Sequence, residues 1–276
     1  MEDTLRSPEG IFVRPDDPDC AVLVLSGSSG RVEADRARML ASHGAAALSY
    51  RWFGDGDLPP GICEIPLESF TPYVDRLAEL SDNLAIVGTS KGAEAALLLA
   101  AHDPRIRTVV AIAPTHVVWS NVGPGYDGET LPWRSSWTLD GKPIPFVPFD
   151  TTWTVPDEEP VVLEPGYTQS LRVAADQVPE ATIPVERIRG SVILVAGGDD
   201  QVWNSVHHAS QIATRRADHG LPTTVVTHPP AGHRTILPGE PPITGGRLAH
   251  GGTPEANATL GILAWPHIST ALRLRA

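Results

Sequence analysis

Cysteine is nearly absent. Cys20 and Cys63 are the two cysteines among 276 residues, too few for a disulfide framework and lacking metal-ligand spacing, so a reducing, cytoplasmic setting and no bound metal are expected. Cys20 adjoins an apolar strand and reads as a small core residue. Long apolar runs are missing too. No stretch approaches the ~20 apolar residues of a membrane span, and the amino terminus MEDTLRSPEG has no basic region followed by an apolar one, so neither a membrane helix nor a secretory leader is expected. Positive charge is in deficit, with 21 Lys and Arg against 33 Asp and Glu, a net charge of −12. That balance argues against nucleic acid as a partner, because affinity there comes from Lys and Arg neutralising phosphates. It also sits awkwardly with a polyanionic substrate. There is no internal repeat, low-complexity tract or block of like charge, and nothing calls for a cofactor.

What is present is a strand-turn-helix signal. Leu84 to Ala101 reads LAIVGTSKGAEAALLLAA, an apolar run joined to an Ala/Leu-rich run through Gly88-Thr89-Ser90-Lys91-Gly92. In a G-x-S-x-G elbow the serine sits in a strained turn, and both glycines are required because a Cβ would collide with the neighbouring strand or helix. Ser90 is the candidate nucleophile, at a helix start where unpaired backbone N–H groups can receive a developing negative charge. The competing reading is a Gly-rich turn whose serine caps the helix.

The rest of the chain supplies partners. Ala21 to Leu25 reads as a strand buried on both faces, followed by the small-residue loop Ser26-Gly27-Ser28-Ser29-Gly30. A backbone that must approach a substrate carbonyl needs such a loop, so the N–H groups of Ser28 and Lys91 are the candidate oxyanion hole. Taken alone, the loop could equally be a flexible turn. Glu33 to Ser42 has helical spacing, Ala45 to Tyr50 reads as a strand, Ile65 to Leu80 as a helix, and Ile106 to Ala113 as a strand. A helix over Tyr167 to Asp176 and a buried strand over Ser191 to Ala196 follow.

That strand ends in Gly197-Gly198-Asp199-Asp200. An acid just past a late strand can orient a histidine, and spacing from Gly197 favours Asp200, with Asp199 as the alternative. A helix over His207 to Gly220, a strand over Thr223 to Thr227 and the loop Pro229-Pro230-Ala231-Gly232-His233 come next. Ten histidines are present, but only His233 has both the chain order and the Ala-Gly lead-in, so it is the candidate base. The order Ser, Asp, His is that of the α/β-hydrolases. Asn257 to Leu274 makes a final helix interrupted at Pro266. Strands alternating with helices predict a single α/β domain over residues 1–276, built on a doubly wound, mostly parallel sheet flanked by helices.

Between residues 116 and 159 periodicity gives way to prolines, glycines and four tryptophans, Trp119, Trp133, Trp137 and Trp153. Long non-periodic segments are often lids or binding loops, so this insertion is expected to roof the serine. Trp119, Trp133 and Trp137 are the candidate substrate-binding residues; a surface excursion is the alternative. Arg31, Arg36, Lys91 and Arg134 are the cations that could add positive charge near the mouth.

Several strings together resemble the C-terminal catalytic domain shared by acyl-CoA thioesterases and bile acid-CoA:amino acid N-acyltransferase. They are Leu58-Pro59 with Glu64-Ile65-Pro66-Leu67-Glu68-Ser69-Phe70, the elbow continuing into Ala93-Glu94, Gly198-Asp199-Asp200-Gln201-Val202-Trp203-Asn204-Ser205, Ala231-Gly232-His233, and Gly251-Gly252-Thr253-Pro254-Glu255-Ala256-Asn257-Ala258. The resemblance implies an α/β-hydrolase fold, Ser90 as nucleophile, Asp200 as acid and His233 as base. The chain departs from it twice. Animal members carry a β-sandwich domain ahead of the catalytic one, for which this chain, beginning almost at the first hydrolase strand, is expected to have no room. The amino-acid-conjugating branch has a cysteine nucleophile, so a serine favours hydrolysis over transfer to an amine.

The expected chemistry is acyl transfer through an acyl-serine, on a small-molecule acyl thioester or ester, an acyl-CoA first of all. A carboxylesterase, an acyltransferase or an enzyme of carrier-bound acyl groups would use the same triad. A hydrolase-fold binding protein without catalysis is the rival from another class.

Overall fold

The computed structural model describes residues 1–243 and 245–275. Two strands that the sequence reading did not anticipate come first. β1 (Glu2–Arg6) and β2 (Glu9–Val13) form an antiparallel hairpin in which Thr4 lies opposite Ile11. β1 alternates exposed and half-buried residues and carries Glu2, Asp3 and Arg6. An edge strand of this kind is polar because it must not invite another chain, and so it lacks the apolar run that marks a central strand.

The central strands match the buried runs: β3 (Cys20–Leu25), β4 (Ala45–Tyr50), then, after a two-residue β5 (Ile65–Pro66), β6 (Leu84–Thr89) and β7 (Ile106–Ile112). Within the insertion, β8 (Trp137–Leu139) pairs with β5, and β9 (Lys142–Pro143) with β8, in a small separate sheet. β10 (Ser191–Gly197) and β11 (Thr224–His228) complete the main sheet. Its order is β1-β2-β4-β3-β6-β7-β10-β11. β2 runs antiparallel to β4, and from β4 to β11 every neighbouring pair is parallel. The chain has the α/β-hydrolase architecture.

Helices cover both faces, which is why the central strands read as unbroken apolar runs. α1 (Ala34–Ser42) and α7 (Pro254–Leu272) pack on one face, where Leu40, Leu260 and Ile268 meet Val22, Val24, Val87 and Val195. α2 (Thr71–Ala78), α3 (Lys91–His102) and α6 (Ser205–Asp218) pack on the other, where Leu77, Leu97 and Ile212 meet Leu23, Ile86, Val109 and Leu194. Each such side chain contributes about 1.5–3 kcal/mol on burial. α4 (Glu164–Val173) and α5 (Val178–Ala181) lie between the insertion and β10.

Three helix expectations need correction. The segment read as one helix over Ile65 to Leu80 is an extended pair, a 3₁₀ turn over Leu67–Phe70 and then α2. Pro72 is the reason: in a helix interior it would remove a hydrogen bond and clash with the preceding turn, whereas α2 carries it in its first turn. α4 begins at Glu164 rather than Tyr167, again with a proline in its first turn. α7 runs unbroken across Pro266. The carbonyl that Pro266 leaves without a donor belongs to Ile262, which is 61% exposed, so water can take the place of the missing N–H.

Candidate active site

The parallel register brings the carboxyl ends of β3, β6, β7 and β10 to one edge. Leu25 pairs with Gly88, Thr89 with Ile112, and Ile112 with Val195. Ser90 follows β6 directly, in the left-handed region with φ 58°. Its N–H donates to Ile112 O at 2.9 Å, and its carbonyl accepts from Ala93 and Glu94 at 2.8 and 3.1 Å. Holding a non-glycine residue there costs of order 1–3 kcal/mol, which the surrounding bonds offset. A Cβ on Gly88 would meet Gly92 O at 2.1 Å, and one on Gly92 would meet Ser26 O at 2.4 Å. Both elbow glycines are therefore required for the close crossing of strand, loop and helix.

The loop after β3 approaches the serine from the side. A Cβ on Gly27 would stand 3.0 Å from Ser90 Cβ and 3.5 Å from its Oγ, so only glycine lets this backbone come so near. Ser28 follows Gly27 in the chain and is exposed, while Lys91 is the first residue of α3, ahead of the intrahelical bonding.

Asp200 and His233 are brought together. His233 Nδ1 lies 2.9 and 2.8 Å from the two carboxylate oxygens of Asp200, and both residues are buried. Asp200 Oδ1 also accepts from the backbone N–H of Val202 at 2.9 Å and of Trp203 at 3.2 Å, which fixes the carboxylate. Asp199 has a different partner: its Oδ2 accepts from Gly252 N–H at 2.7 Å and its side chain is exposed. The histidine loop is pinned in turn, with His233 N–H donating to His250 O at 2.7 Å and Gly232 N–H to Asn257 Oδ1 at 2.7 Å. The Trp203 ring stands edge-on to His233, with centroids 5.4 Å apart. Among the described residues no hydrogen bond joins Ser90 Oγ to His233; such contacts tighten when a substrate is seated.

The tryptophans of the insertion divide. Trp119 and Trp137 are interior residues, 1% and 0% exposed. Trp137 stacks on Trp52, and its Nε1 donates to Glu94 Oε1 at 2.8 Å; the Trp119 backbone N–H donates to the same oxygen at 3.1 Å. Glu94 Oε2 pairs with Lys91 Nζ at 2.6 Å, and Nζ also donates to Ser136 Oγ at 2.7 Å. Burial pushes the Lys91 ammonium down and the Glu94 carboxyl up, and their pairing opposes both shifts. The sequence reading missed this strut between α3 and the insertion; a Lys and a Glu three apart on one helix turn, within an otherwise apolar run, was its signal. Trp133 differs in being half-buried, with an indole N–H that has no partner among the described residues.

A second histidine pair lies behind Trp203. His116 Nδ1 and His208 Nδ1 are 2.6 Å apart, and His208 Nδ1 is 3.3 Å from the His116 backbone N–H. Burial, then the nearby His207, pushes His116 down to about 4, and burial holds His208 well below the usual histidine range. His250 is pushed down to about 4 by burial, Arg234 and His233. These groups stay neutral in the folded chain while the unfolded chain takes up protons below the ordinary value of 6.5. The unfolded state then binds more protons, so stability falls as pH drops from about 6.5 toward 4. Urea unfolding at pH 7.5 and 5 should show this loss, and His116→Gln should show a shallower one; identical slopes would remove His116 from the account.

Among the described residues no cluster of His, Cys, Asp or Glu is placed to hold a metal ion, and no helix is long and apolar enough to cross a membrane.

A model of the family described as BAAT / Acyl-CoA thioester hydrolase C terminal matches residues 67–273. The chain belongs to that family. Acyl-coenzyme A thioesterase 6 of Homo sapiens is 28% identical over 280 residues, covering 94% of this chain and 61% of that protein. Bile acid-CoA:amino acid N-acyltransferase of Mus musculus is 28% identical over 240 residues, covering 85% of this chain and 52% of that protein. The chain thus spans roughly half to three-fifths of the length of these relatives. Among solved structures, a putative dienelactone hydrolase from Klebsiella pneumoniae has a TM-score of 0.54 at 15% identity, over 99% of this chain and 97% of that one. The esterase domain of a Rhodothermus marinus protein has a TM-score of 0.52 at 16% identity, over 99% and 96%. Both likenesses concern the fold. The BAAT / thioester hydrolase match covers the elbow, the acid and the histidine alike, since Ser90, Asp200 and His233 all fall within 67–273.

Proposed function

We propose that this chain is a serine hydrolase that opens acyl thioesters, acyl-CoAs first of all, through an acyl-serine intermediate. The observation that carries the reading is the buried Asp200–His233 pair at the same sheet edge as a serine in the strained elbow conformation. His233 takes the Ser90 proton, and Ser90 Oγ attacks the acyl carbonyl. Asp200 holds the imidazole in the tautomer whose other nitrogen is free to accept. The N–H groups of Ser28 and Lys91 receive the oxyanion; one such donor is worth roughly 3 to 4 kcal/mol. The thiolate leaves with the proton from His233, and water, activated by the same base, releases the acid.

Family membership supports the thioester as the bond broken. Insertion 116–159 is the proposed lid, with Trp133 the residue offered to the acyl chain and Trp119 and Trp137 supporting it from the interior. Two buried free thiols, Cys20 and Cys63, support the cytoplasmic setting. Transfer to an amine is the second reading, favoured by the likeness to an N-acyltransferase.

A fluorophosphonate should attach once to the wild type and not to Ser90→Ala. Steady-state rates on acyl-CoAs should exceed those on matched oxygen esters, and added amino acids should leave free acid as the product. Labelling that survives in Ser90→Ala would remove the nucleophile, faster turnover of the esters would make the chain a carboxylesterase, and amide product would make it an acyltransferase.

A further inference from the structure

Arg36, on α1, bonds to both halves of the candidate site. The sequence reading offered it, with Arg31, Lys91 and Arg134, as positive charge near the mouth. Each of the four instead has an acidic partner: Glu33 at 2.8 Å for Arg31, Glu94 at 2.6 Å for Lys91, Asp127 at 3.0 Å for Arg134 and Glu240 at 2.9 Å for Arg36. Arg36 differs in how its fork is divided.

Its Nη1 donates to Thr89 Oγ1 at 2.8 Å, and Thr89 is the last residue of β6, directly ahead of Ser90. Its Nη2 donates to the carbonyl of Thr235 at 3.5 Å and to Glu240 Oε2 at 2.9 Å, and its Nε donates to Glu240 Oε1. Thr235 and Glu240 lie on the loop that carries His233. Glu240 gathers that loop in turn: its Oε2 accepts the Leu237 N–H at 2.9 Å, and its own N–H donates to Leu237 O at 3.0 Å. The side chains of Arg36 and Glu240 are 5% and 8% exposed. Among the described residues no hydrogen bond runs directly from residues 88–92 to residues 231–240, so Arg36 is a one-residue bridge between the elbow and the histidine loop.

Stability alone is a poor reason for this arrangement. Taking two charges out of water costs about as much as their attraction returns, and apolar side chains of similar volume fill such a space as well or better. Apolar side chains cannot, however, hold α1, the end of β6 and the histidine loop at fixed distances from one planar group.

We infer that Arg36 is a positioning residue that sets the approach of His233 to Ser90 by tying Thr89 to the loop carrying the base. That purpose rests on the hydrolase reading above; the tie itself does not. Its effect falls on the distance across which the Ser90 proton moves, where a misplacement of about 1 Å costs up to about 100-fold in rate.

The test compares Arg36→Lys, Thr89→Val and Thr89→Ser with the wild type in steady-state kinetics on an acyl-CoA and in the rate of fluorophosphonate labelling per folded molecule. Lysine keeps the charge beside Glu240 but has no fork to divide, and valine keeps the shape of Thr89 without its hydroxyl. Both should lower kcat and the labelling rate together by about tenfold or more, with KM unchanged. Thr89→Ser, which restores the hydroxyl and gives up the methyl group, should recover most of the rate; a packing role predicts the opposite order of valine and serine. The double variant Arg36→Lys, Thr89→Val should lose no more than the worse single one, since both remove the same bond. The Thr89 pair carries the test by itself where Arg36→Lys does not fold. Wild-type rates in Thr89→Val, equal losses in Thr89→Val and Thr89→Ser, losses confined to KM, or losses that add in the double variant would each overturn the proposal. A wild type that neither labels nor turns over removes the hydrolase reading, and amide hydrogen exchange then tests the tie: faster exchange over residues 233–240 in Thr89→Val than in Thr89→Ser keeps it, and equal exchange removes it.

Discussion

Asp200→Asn is expected to lower kcat by about 10⁴-fold, because an amide in that place can stabilise the wrong imidazole tautomer. The geometry that motivates the number is specific to this residue. Both oxygens of Asp200 face His233 Nδ1, and two backbone N–H groups fix the carboxylate from behind. An asparagine would keep those two bonds through its oxygen and turn its NH₂ toward the ring, so folding should survive while the base is lost. Asp199→Asn supplies the control. Its carboxylate holds Gly252 N–H, a bond that an amide oxygen can replace at a net cost of about 1 kcal/mol. Steady-state rates and unfolding curves of the two variants decide between them: a larger rate loss in Asp199→Asn would reverse the assignment.

Glu94→Ala is expected to destabilise the fold by about 3–5 kcal/mol, the cost of leaving a buried ammonium without its partner. The variant strands more than Lys91. The Trp119 backbone N–H and the Trp137 indole N–H both lose their acceptor, and neither can reach water from an interior position. Against a typical domain stability of about 5–15 kcal/mol, this is a large share. The double variant Lys91→Met, Glu94→Gln removes both charges and keeps an amide oxygen for the two tryptophan donors, so it should be milder than Glu94→Ala. Urea midpoints measure both, and an unchanged midpoint in Glu94→Ala would show that the pair bears no net load.

The same strut explains why the tryptophans misled the sequence reading. Aromatic residues scattered through Pro/Gly-rich sequence carry no period, so nothing in the string separates a ring that lines a cavity from one that closes over a buried ion pair. Trp137 closes over Lys91 and Glu94. Trp133, in the same segment, does not. A polar edge strand is illegible for a related reason: β1 has no apolar run because one of its sides faces no neighbour.

The sequence by itself determined the elements whose causes are local. The elbow follows from two glycines at a fixed spacing from Ser90, the central strands follow from apolar runs buried on both faces, and the order of Ser90, Asp200 and His233 implies the sheet that carries them. Tertiary structure alone decided what depends on residues distant in the chain. Asp200 rather than Asp199 faces His233 because Gly252, brought back by α7, occupies Asp199. Arg36 pairs with Glu240, and Arg234 donates to the carbonyls of Ile243 and Gly245, because the loop after β11 folds its acid toward α1 and its carbonyls toward Arg234. Hydrogen bonds and ion pairs act over a few ångströms of space, whatever the separation along the chain, so composition and spacing could place each of these groups in the neighbourhood but not choose its partner.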